Sequence, residues 1–281
     1  MKQAVDPRWE PPGSVWIFCP ADRPERFAKA AACADAVILD LEDGVGEDAK
    51  AAAREAVRGS RLDPARTIIR INPLDSPHID DDLDMLARSP YRVLMLPKAE
   101  TGALAAELAG YDIIALIETP VGLRRVDEIA GAANVVAVMW GAEDLVAALG
   151  GSSSRHADGT YRDVARQLRA TTLLAAKAQG KLAVDGVFLD IADLAGLAEE
   201  AEDAVASGFD IKVALHPGQV PVIAAAYRPT PDEVDWARRT LAAARHSHGV
   251  FAIGGRMVDA PILGHARRIV ARAQAGQNEQ D

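Results

Sequence analysis

The stretch "AVILDLEDGV" places Asp40, Glu42 and Asp43 at the end of an apolar run, with Leu41 between them. Val37, Ile38 and Leu39 belong in an interior, and carboxylates are almost never fully buried there unless a cation or a hydrogen-bond donor meets them. Two more acids follow consecutive apolar runs: Glu118 closes "DIIALIE", and Asp144 stands in "GAED", directly after "NVVAVMW". Two carboxylates completed by water and substrate oxygens suit Mg²⁺, a hard cation that keeps several of its waters. In that reading Asp40, Glu42 and Asp43 surround the metal and hold its waters. Zinc fits poorly, because no His pair has ligand spacing. Arg70, inside "IIRIN", is a long charged side chain in an apolar run. It is either an ion-pair partner for a nearby acid or a planar fork for a substrate carboxylate.

Such side chains need elements to bring them together. Eight short apolar runs recur along the chain: 14–20, 35–41, 67–72, 91–97, 112–118, 134–140, 183–190 and 209–217. Stretches rich in Ala, Leu, Glu and Arg, with helical spacing, lie between them. This alternation predicts a parallel sheet covered by helices. Eight units over this length predict a closed (β/α)₈ TIM barrel with a C-terminal helical extension, a doubly wound open sheet being the alternative.

A barrel gathers its active site at the C-terminal ends of its strands. The polar residues expected there are Asp22 and Arg23; Asp40, Glu42 and Asp43; Arg70 and Asn72; Lys98; Glu118 and Thr119; Glu143 and Asp144; Asp190; and His216. Taken singly, several have plainer readings. Asp22 before "RPERF" and Thr119 before Pro120 fit helix N-caps. Glu47 and Asp48 fit a helix dipole. Lys98 could serve as a Schiff-base lysine, but the carboxylate pair makes a metal mechanism more economical. It is the convergence of so many such residues that argues for a site.

Residues 1–13 read as an extended arm, 14–247 as the barrel, and 248–281 as an extension that packs on its own barrel or on a neighbour as a lid. A helix is expected near 231–247, with His246 and His248 facing solvent at its end, and the closing "GQNEQD" reads as disordered. The polar insertion "GGSSSRHADGTYRD" (150–163) follows the sixth run and belongs over the barrel mouth. Met85, Met95 and Met139 read as core filler, and Trp9 and Trp16 as packing residues near the arm.

The chain of 281 residues carries a formal charge of −10, so a polyanionic nucleic acid is a poor partner. Two cysteines, Cys19 and Cys33, make neither a disulfide framework nor a zinc site. The N-terminus has no secretory h-region, and no run of about 18 apolar residues exists to span a membrane. A cytoplasmic protein with no membrane partner is the plain reading.

The motifs "CPADRPERFAKA", "VILDLEDGV", "IRIN", "LPKAE", "IETPVGL", "WGAEDL", "LHPGQV" and "GRMVDAP" occur in this order. Over roughly residues 14–265 the chain resembles citrate lyase beta-subunit-like proteins of the HpcH/HpaI aldolase superfamily. The resemblance implies a TIM barrel, usually a homotrimer or a hexamer built as a dimer of trimers. It also implies a lyase that uses Mg²⁺, with Mn²⁺ as a substitute, to cleave a β-hydroxyacyl-CoA by retro-Claisen chemistry to acetyl-CoA and an oxo acid. Citramalyl-CoA ranks first among substrates, ahead of malyl-CoA and 3-hydroxy-3-methylglutaryl-CoA.

By motif, Glu118 and Asp144 resemble the metal ligands and Arg70 the substrate-carboxylate arginine. Glu42 and Asp43 resemble the acids around the metal. Gly141, Ala142 and Glu143 of "GAED" match backbone that touches substrate in some relatives, and Arg23 and Lys29 match positions that meet the CoA diphosphate. Asp259 matches an aspartate delivered from the next subunit's tail, a candidate to protonate the enolate that cleavage leaves behind. Ala21 stands where many relatives have glycine, and "LHP" replaces "IHP" with His216 kept. Three rivals share these motifs. One is a citrate lyase beta subunit working in a multi-subunit complex. The second is an aldolase for free 2-oxo acids, which would make Arg23 and Lys29 ordinary surface charges. The third is a non-catalytic acyl-CoA-binding barrel, against which intact Arg70, Glu118, Asp144 and Asp259 count.

Overall fold

Every one of the eight apolar runs contributes a strand: β1 (Val15–Pro20), β2 (Ala36–Asp40), β3 (Thr67–Arg70), β4 (Val93–Leu96), β5 (Asp112–Ile117), β6 (Val135–Trp140), β7 (Leu182–Asp185) and β8 (Ile211–Ala214). The computed structural model describes residues 9–245 and 250–278. Neighbouring strands pair in parallel and β8 returns to β1, so the sheet closes into a barrel and the open-sheet alternative falls away. The connections carry α1 (Phe27–Cys33), α2 (Lys50–Gly59), α3 (Ile79–Ala87), α4 (Leu104–Glu107), α5 (Pro120–Arg124), α6 (Val126–Gly131), α7 (Ala142–Ala148), α8 (Asp163–Ala178) and α9 (Leu194–Ser207), followed by α10 (Val220–Tyr227). Ala53 and Val57, one turn apart on α2, are fully buried, as an amphipathic helix lying on a barrel requires. Among the described residues no helix is long and apolar enough to cross a membrane.

The interior follows from the strand period of two. Ala36 and Ile38 of β2, Ile114 and Leu116 of β5, Ala137 and Met139 of β6, and Ile211 and Val213 of β8 join Trp16, Ile68, Met95 and Val184 in one buried cluster. Continuing the same parity one step toward the C-terminal end gives Asp40, Arg70, Glu118, Gly141, Gly186 and Leu215, and all six line a cavity at the mouth. The strands thus alternate apolar filling below with chemistry above. Met85, Met95 and Met139 are buried, and Trp9 packs on Trp16 with ring centroids 5.7 Å apart.

The seventh strand is shorter than its apolar run. It ends at Asp185 rather than at Asp190, which instead accepts backbone N–H groups of Ala192 and Asp193 in the following loop. The run "GVFLD" continues to look like a strand because Val187 and Phe188 still pack, Val187 against the interior cluster and Phe188 as a buried side chain. Asp185 itself is wholly buried. Its Oδ2 accepts from Lys212 Nζ at 2.8 Å and its Oδ1 from Arg169 Nε at 2.9 Å and Trp140 Nε1 at 2.8 Å. Burial opposes the charge of Asp185, but Lys212 and Arg169 outweigh it and hold the carboxyl below its usual range. Lys212, also fully buried, gives its other two protons to the Gly186 carbonyl and to Glu200 Oε1, each at 3.0 Å. The ammonium's three donors are therefore all used.

The chain divides into two compact units, one running to Ile223 and one from Ala224. The second unit holds α11 (Pro231–Ala244), a hairpin of β9 (Phe251–Ile253) and β10 (Arg256–Val258), and α12 (Ala260–Asn278). Thr230 and Glu233 form a capping box at the start of α11. Between β9 and β10, Gly254 and Gly255 take φ of 55° and 77°, the two positive values that a tight hairpin turn asks of its central residues. The extension is therefore not wholly helical. Ala237 of α11 and Ala266 and Ile269 of α12 are the buried centre of this unit. α12 runs to Asn278, so the expected disorder of "GQNEQD" does not hold for its first three residues. Residues 1–8 of the arm, His246, His248 and the final three residues lie outside the described residues.

Removing Lys212 leaves Asp185 and Glu200 without their shared cation. Lys212→Met should destabilise the protein by about 3–5 kcal/mol, read as a fall in urea midpoint at constant slope; a midpoint within error of wild type would show that the buried triad carries no stability.

Candidate active site at the barrel mouth

Register brings the key acids together. Ile117 of β5 pairs with Trp140 of β6, and Gly141 N–H donates to the Ile117 carbonyl at 3.0 Å. Glu118 and Gly141 are therefore side by side, and Asp144 follows in the first turn of α7. A Cβ on residue 141 would lie 2.7 Å from Glu118 Oε2, so only glycine leaves that carboxylate its space. The cavity in front of them measures about 370 Å³ and is walled by Phe18, Arg70, Trp140, Arg155, Tyr161 and Leu189 among others.

Arg70 answers the opening acids first. Its Nε and Nη2 form a two-pronged contact with Asp40 at 2.7 and 2.6 Å, and its Nη1 lies 2.8 Å from Glu42 Oε2. The guanidinium carbon sits 4.8 Å from the Phe18 ring centroid. Burial works against this charge, but Asp40 and Glu42 more than offset it and keep Arg70 protonated. The ion-pair reading of Arg70 is thus present in the fold. The same side chain also lines the cavity.

Asp40 departs from expectation. Besides Arg70, it accepts the backbone N–H groups of Glu42 and Gly44, both at 2.9 Å. Four donors fill the acceptor sites of a carboxylate, so Asp40 has none left for a metal's waters. Gly44 is glycine for the same reason: a Cβ there would fall 2.3 Å from Asp40 Oδ2. Glu42 places one oxygen on Arg70 and the other 2.5 Å from Lys98 Nζ. Burial raises its carboxyl, and Arg70 and Lys98 pull it back only in part. Of the three opening acids Asp43 alone is exposed, at the cavity rim.

Lys98 lies at the centre of the remaining acids. Its Nζ is 3.3 Å from Asp144 Oδ1, and its backbone N–H donates to Glu118 Oε1 at 2.9 Å. Burial opposes its charge, but Glu42, Glu118 and Asp144 overcome this and hold the ammonium above its ordinary range. A Schiff-base lysine needs a free amine, and the acids around Lys98 favour the ammonium instead. Glu118 is the opposite case. Burial, then the charges of Asp144 and Glu42, push its carboxyl up to about 8, against a lesser pull from Lys98.

The other expected residues separate into those at the cavity and those elsewhere. Gly141, Ala142 and Glu143 line it, and Glu143 Oε1 accepts Ser154 Oγ at 2.5 Å. Arg23 and Lys29 are exposed and do not line it. Asp22 caps nothing; it pairs loosely with Arg23 at 3.7 Å, whereas Thr119 caps α5 through Gly122 N–H as expected. Asn72 is structural: it is buried and accepts from Lys50 at 2.8 Å. His216 Nδ1 accepts Gly218 N–H in a capping turn. Asp259, in the second unit, accepts Ile262 N–H at 3.2 Å at the start of α12.

Arg155 and Tyr161 do not stand at strand ends; they come from the insertion, where an isolated bridge pairs them. Arg155 stacks on Tyr161 at 3.6 Å and binds Glu200 Oε2 at 2.7 Å. The expected position of that insertion over the mouth was the available signal. Asp185 and Lys212, inside apolar runs, gave the same kind of signal as Arg70.

Comparison with known proteins agrees with this architecture. The HpcH/HpaI aldolase/citrate lyase family profile matches residues 15–217. A citrate lyase subunit beta-like protein of Mycobacterium tuberculosis is 57% identical over 95% of this chain and 98% of its own. The citrate lyase subunit beta of Escherichia coli K12 is 35% identical over 86% of both. A crystal structure of the M. tuberculosis CitE protein, in complex with magnesium, acetoacetate and coenzyme A, superposes with a TM-score of 0.89 at 58% identity, covering 93% of this chain and 98% of that one. With its closed barrel and its acid-lined mouth, this chain belongs to the HpcH/HpaI aldolase/citrate lyase family.

Proposed function

We propose that the chain is a Mg²⁺-dependent carbon–carbon lyase that cleaves a β-hydroxyacyl-CoA thioester to acetyl-CoA and an oxo acid. The observation that carries this reading is the pairing of Glu118 with Asp144 beside Arg70 in one cavity. The donor set suits Mg²⁺. It is all oxygen, and among the described residues no three His, Cys, Asp or Glu side chains form a closed cage. Mg²⁺ binds through one or two carboxylates and keeps waters, whereas zinc takes nitrogen and sulfur in closed sites. Glu118 and Asp144 are the proposed ligands, with Mn²⁺ as a substitute ion. Support for the ion and the thioester comes from the CitE complex holding magnesium, acetoacetate and coenzyme A. A relative at 58% identity with coenzyme A bound favours a CoA substrate over a carrier-protein thioester.

The residues divide the work as follows. Arg70, on the cavity wall, is proposed to meet the substrate carboxylate and so fix the β-carbon over the acids. When bound, Mg²⁺ supplies Lewis acidity toward the β-hydroxyl and the ketone that develops from it. The β-hydroxyl proton would pass to a carboxylate lining the cavity as that oxygen becomes the ketone, the C–C electron pair passes to the α-carbon as an enolate, and Asp259 is the proposed acid that returns a proton there. Glu42, held by Arg70 and Lys98, and Asp43, at the rim, border the proposed metal pair. Gly141, Ala142 and Glu143 form the adjacent wall. Arg23 and Lys29 are proposed for the CoA diphosphate, and a homotrimer is proposed to bring Asp259 from a neighbouring subunit. Citramalyl-CoA remains the first substrate to test, ahead of malyl-CoA and 3-hydroxy-3-methylglutaryl-CoA.

Purified protein with Mg²⁺ should release acetyl-CoA from one of these thioesters with no other protein added, and EDTA should stop it. Glu118→Ala and Asp144→Ala should each reduce turnover by at least about 10³-fold, the scale expected for loss of a Lewis acid; full turnover in either refutes the ligand assignment. Asp259→Ala should slow release of acetyl-CoA while leaving Mg²⁺ affinity, measured by calorimetry, unchanged. Loss of Mg²⁺ binding in that variant would reassign Asp259.

Glu118 also makes a pH prediction. Its carboxyl lies near 8 in the folded protein against an ordinary 4.5. Between those values the folded chain keeps a proton that the unfolded chain has released, so stability present below about pH 4.5 is lost as pH rises to about 8. In EDTA, Glu118→Gln should flatten this part of the stability profile measured by urea unfolding. A slope equal to that of wild type would show that Glu118 titrates normally.

A further inference from the structure

We infer that Lys98 is the resident counter-cation of the carboxylate pair, a positioning residue whose ammonium must leave Asp144 before a divalent cation can bind there. This rests on the assignment of Glu118 and Asp144 as the cation's ligands. Three contacts from one residue support it: backbone N–H to Glu118 Oε1 at 2.9 Å, ammonium to Glu42 Oε1 at 2.5 Å, and ammonium to Asp144 Oδ1 at 3.3 Å. Lys98 thus touches both proposed ligands and the acid behind them.

The backbone shows that the side chain is what the site retains. Lys98 has a φ of 50°, the one positive value at a non-glycine position among the described residues. Glycine would take this conformation without strain and could still donate the same N–H to Glu118. A lysine held there keeps an ammonium among the acids against its own backbone preference.

The two ammonium contacts are unequal, and the inequality says which one yields. Glu42 is the shorter contact and its side chain is 4% exposed, whereas Asp144 is the longer contact and is 35% exposed. Asp144 faces the open cavity, so it can exchange one cation for another while Lys98 stays anchored on Glu42. Lys98 therefore restrains the acids before the divalent cation arrives and competes with it for Asp144.

The sign of the change in affinity tests this. Full-length protein stripped with EDTA is titrated with MgCl₂ by calorimetry, in wild type, Lys98→Met, Lys98→Gly and Glu118→Gln. Loss of the competing charge should tighten Mg²⁺ binding about tenfold in Lys98→Met. Lys98→Gly keeps the turn without strain and should tighten it similarly, which covers a Met variant that fails to fold. A lysine that only scaffolds the acids would give weaker or unchanged binding on removal, and that result overturns the inference if Glu118→Gln abolishes the wild-type signal. If wild type gives no Mg²⁺ signal, or Glu118→Gln keeps it, the ligand assignment falls and the inference falls with it.

Discussion

Unlike charges must be balanced where water is scarce, and the mouth of this barrel is organised by that requirement. Asp40, Glu42 and Glu118 are all nearly buried. Arg70 neutralises Asp40 and shares Glu42 with Lys98, which also reaches Asp144. Two cations thus serve four acids, and the deficit falls on Glu118. Its depth in the protein and its acidic neighbours leave it the most reluctant to ionise. With all four acids ionised the site is two positive charges short, and a small divalent ion is the simplest completion.

That balance depends on a regular scaffold. A strand that packs every second residue inside the barrel presents its next residue of the same parity at the open end. Asp40, Arg70 and Glu118 each come two residues after an interior aliphatic residue, namely Ile38, Ile68 and Leu116. No loop has to search for their positions. Lys98 is the exception, since it lies beyond Pro97 in a left-handed turn and reaches the acids only by bending the chain.

Much of this could be read from the amino-acid sequence, and the reasons for the remainder are physical. Apolar runs marked every strand because buried parallel strands are apolar on both faces. The acids at their ends stood out because they are expensive to bury. The end of β7 was misplaced because "GVFLD" stays apolar after the ladder stops, Phe188 packing outside the sheet. Partners were harder to read than types. Asp185 meets Lys212 from 27 positions away, and Lys98 meets Glu42 from 56; a sequence displays such charges without showing what neutralises them. For that reason the sequence alone leaves Arg70 open between an ion pair and a substrate fork. The hairpin at Gly254–Gly255 was legible in principle, since paired glycines between short apolar segments are a turn signal, but it was absorbed into a tail expected to be helical.

The buried triad has a bearing on how this enzyme could diversify. Trp140 hydrogen-bonds to Asp185, Lys212 joins Asp185 to Glu200, and Glu200 holds Arg155. Trp140 and Arg155, which line the cavity, are therefore linked behind its wall by one chain of buried hydrogen bonds. The side chains of Leu189 and Leu215, which also line the cavity, have no polar atoms to tie into that chain. A laboratory library aimed at new acyl preferences has its freedom there, whereas changes at Trp140 or Arg155 must also keep the buried hydrogen bonds behind them.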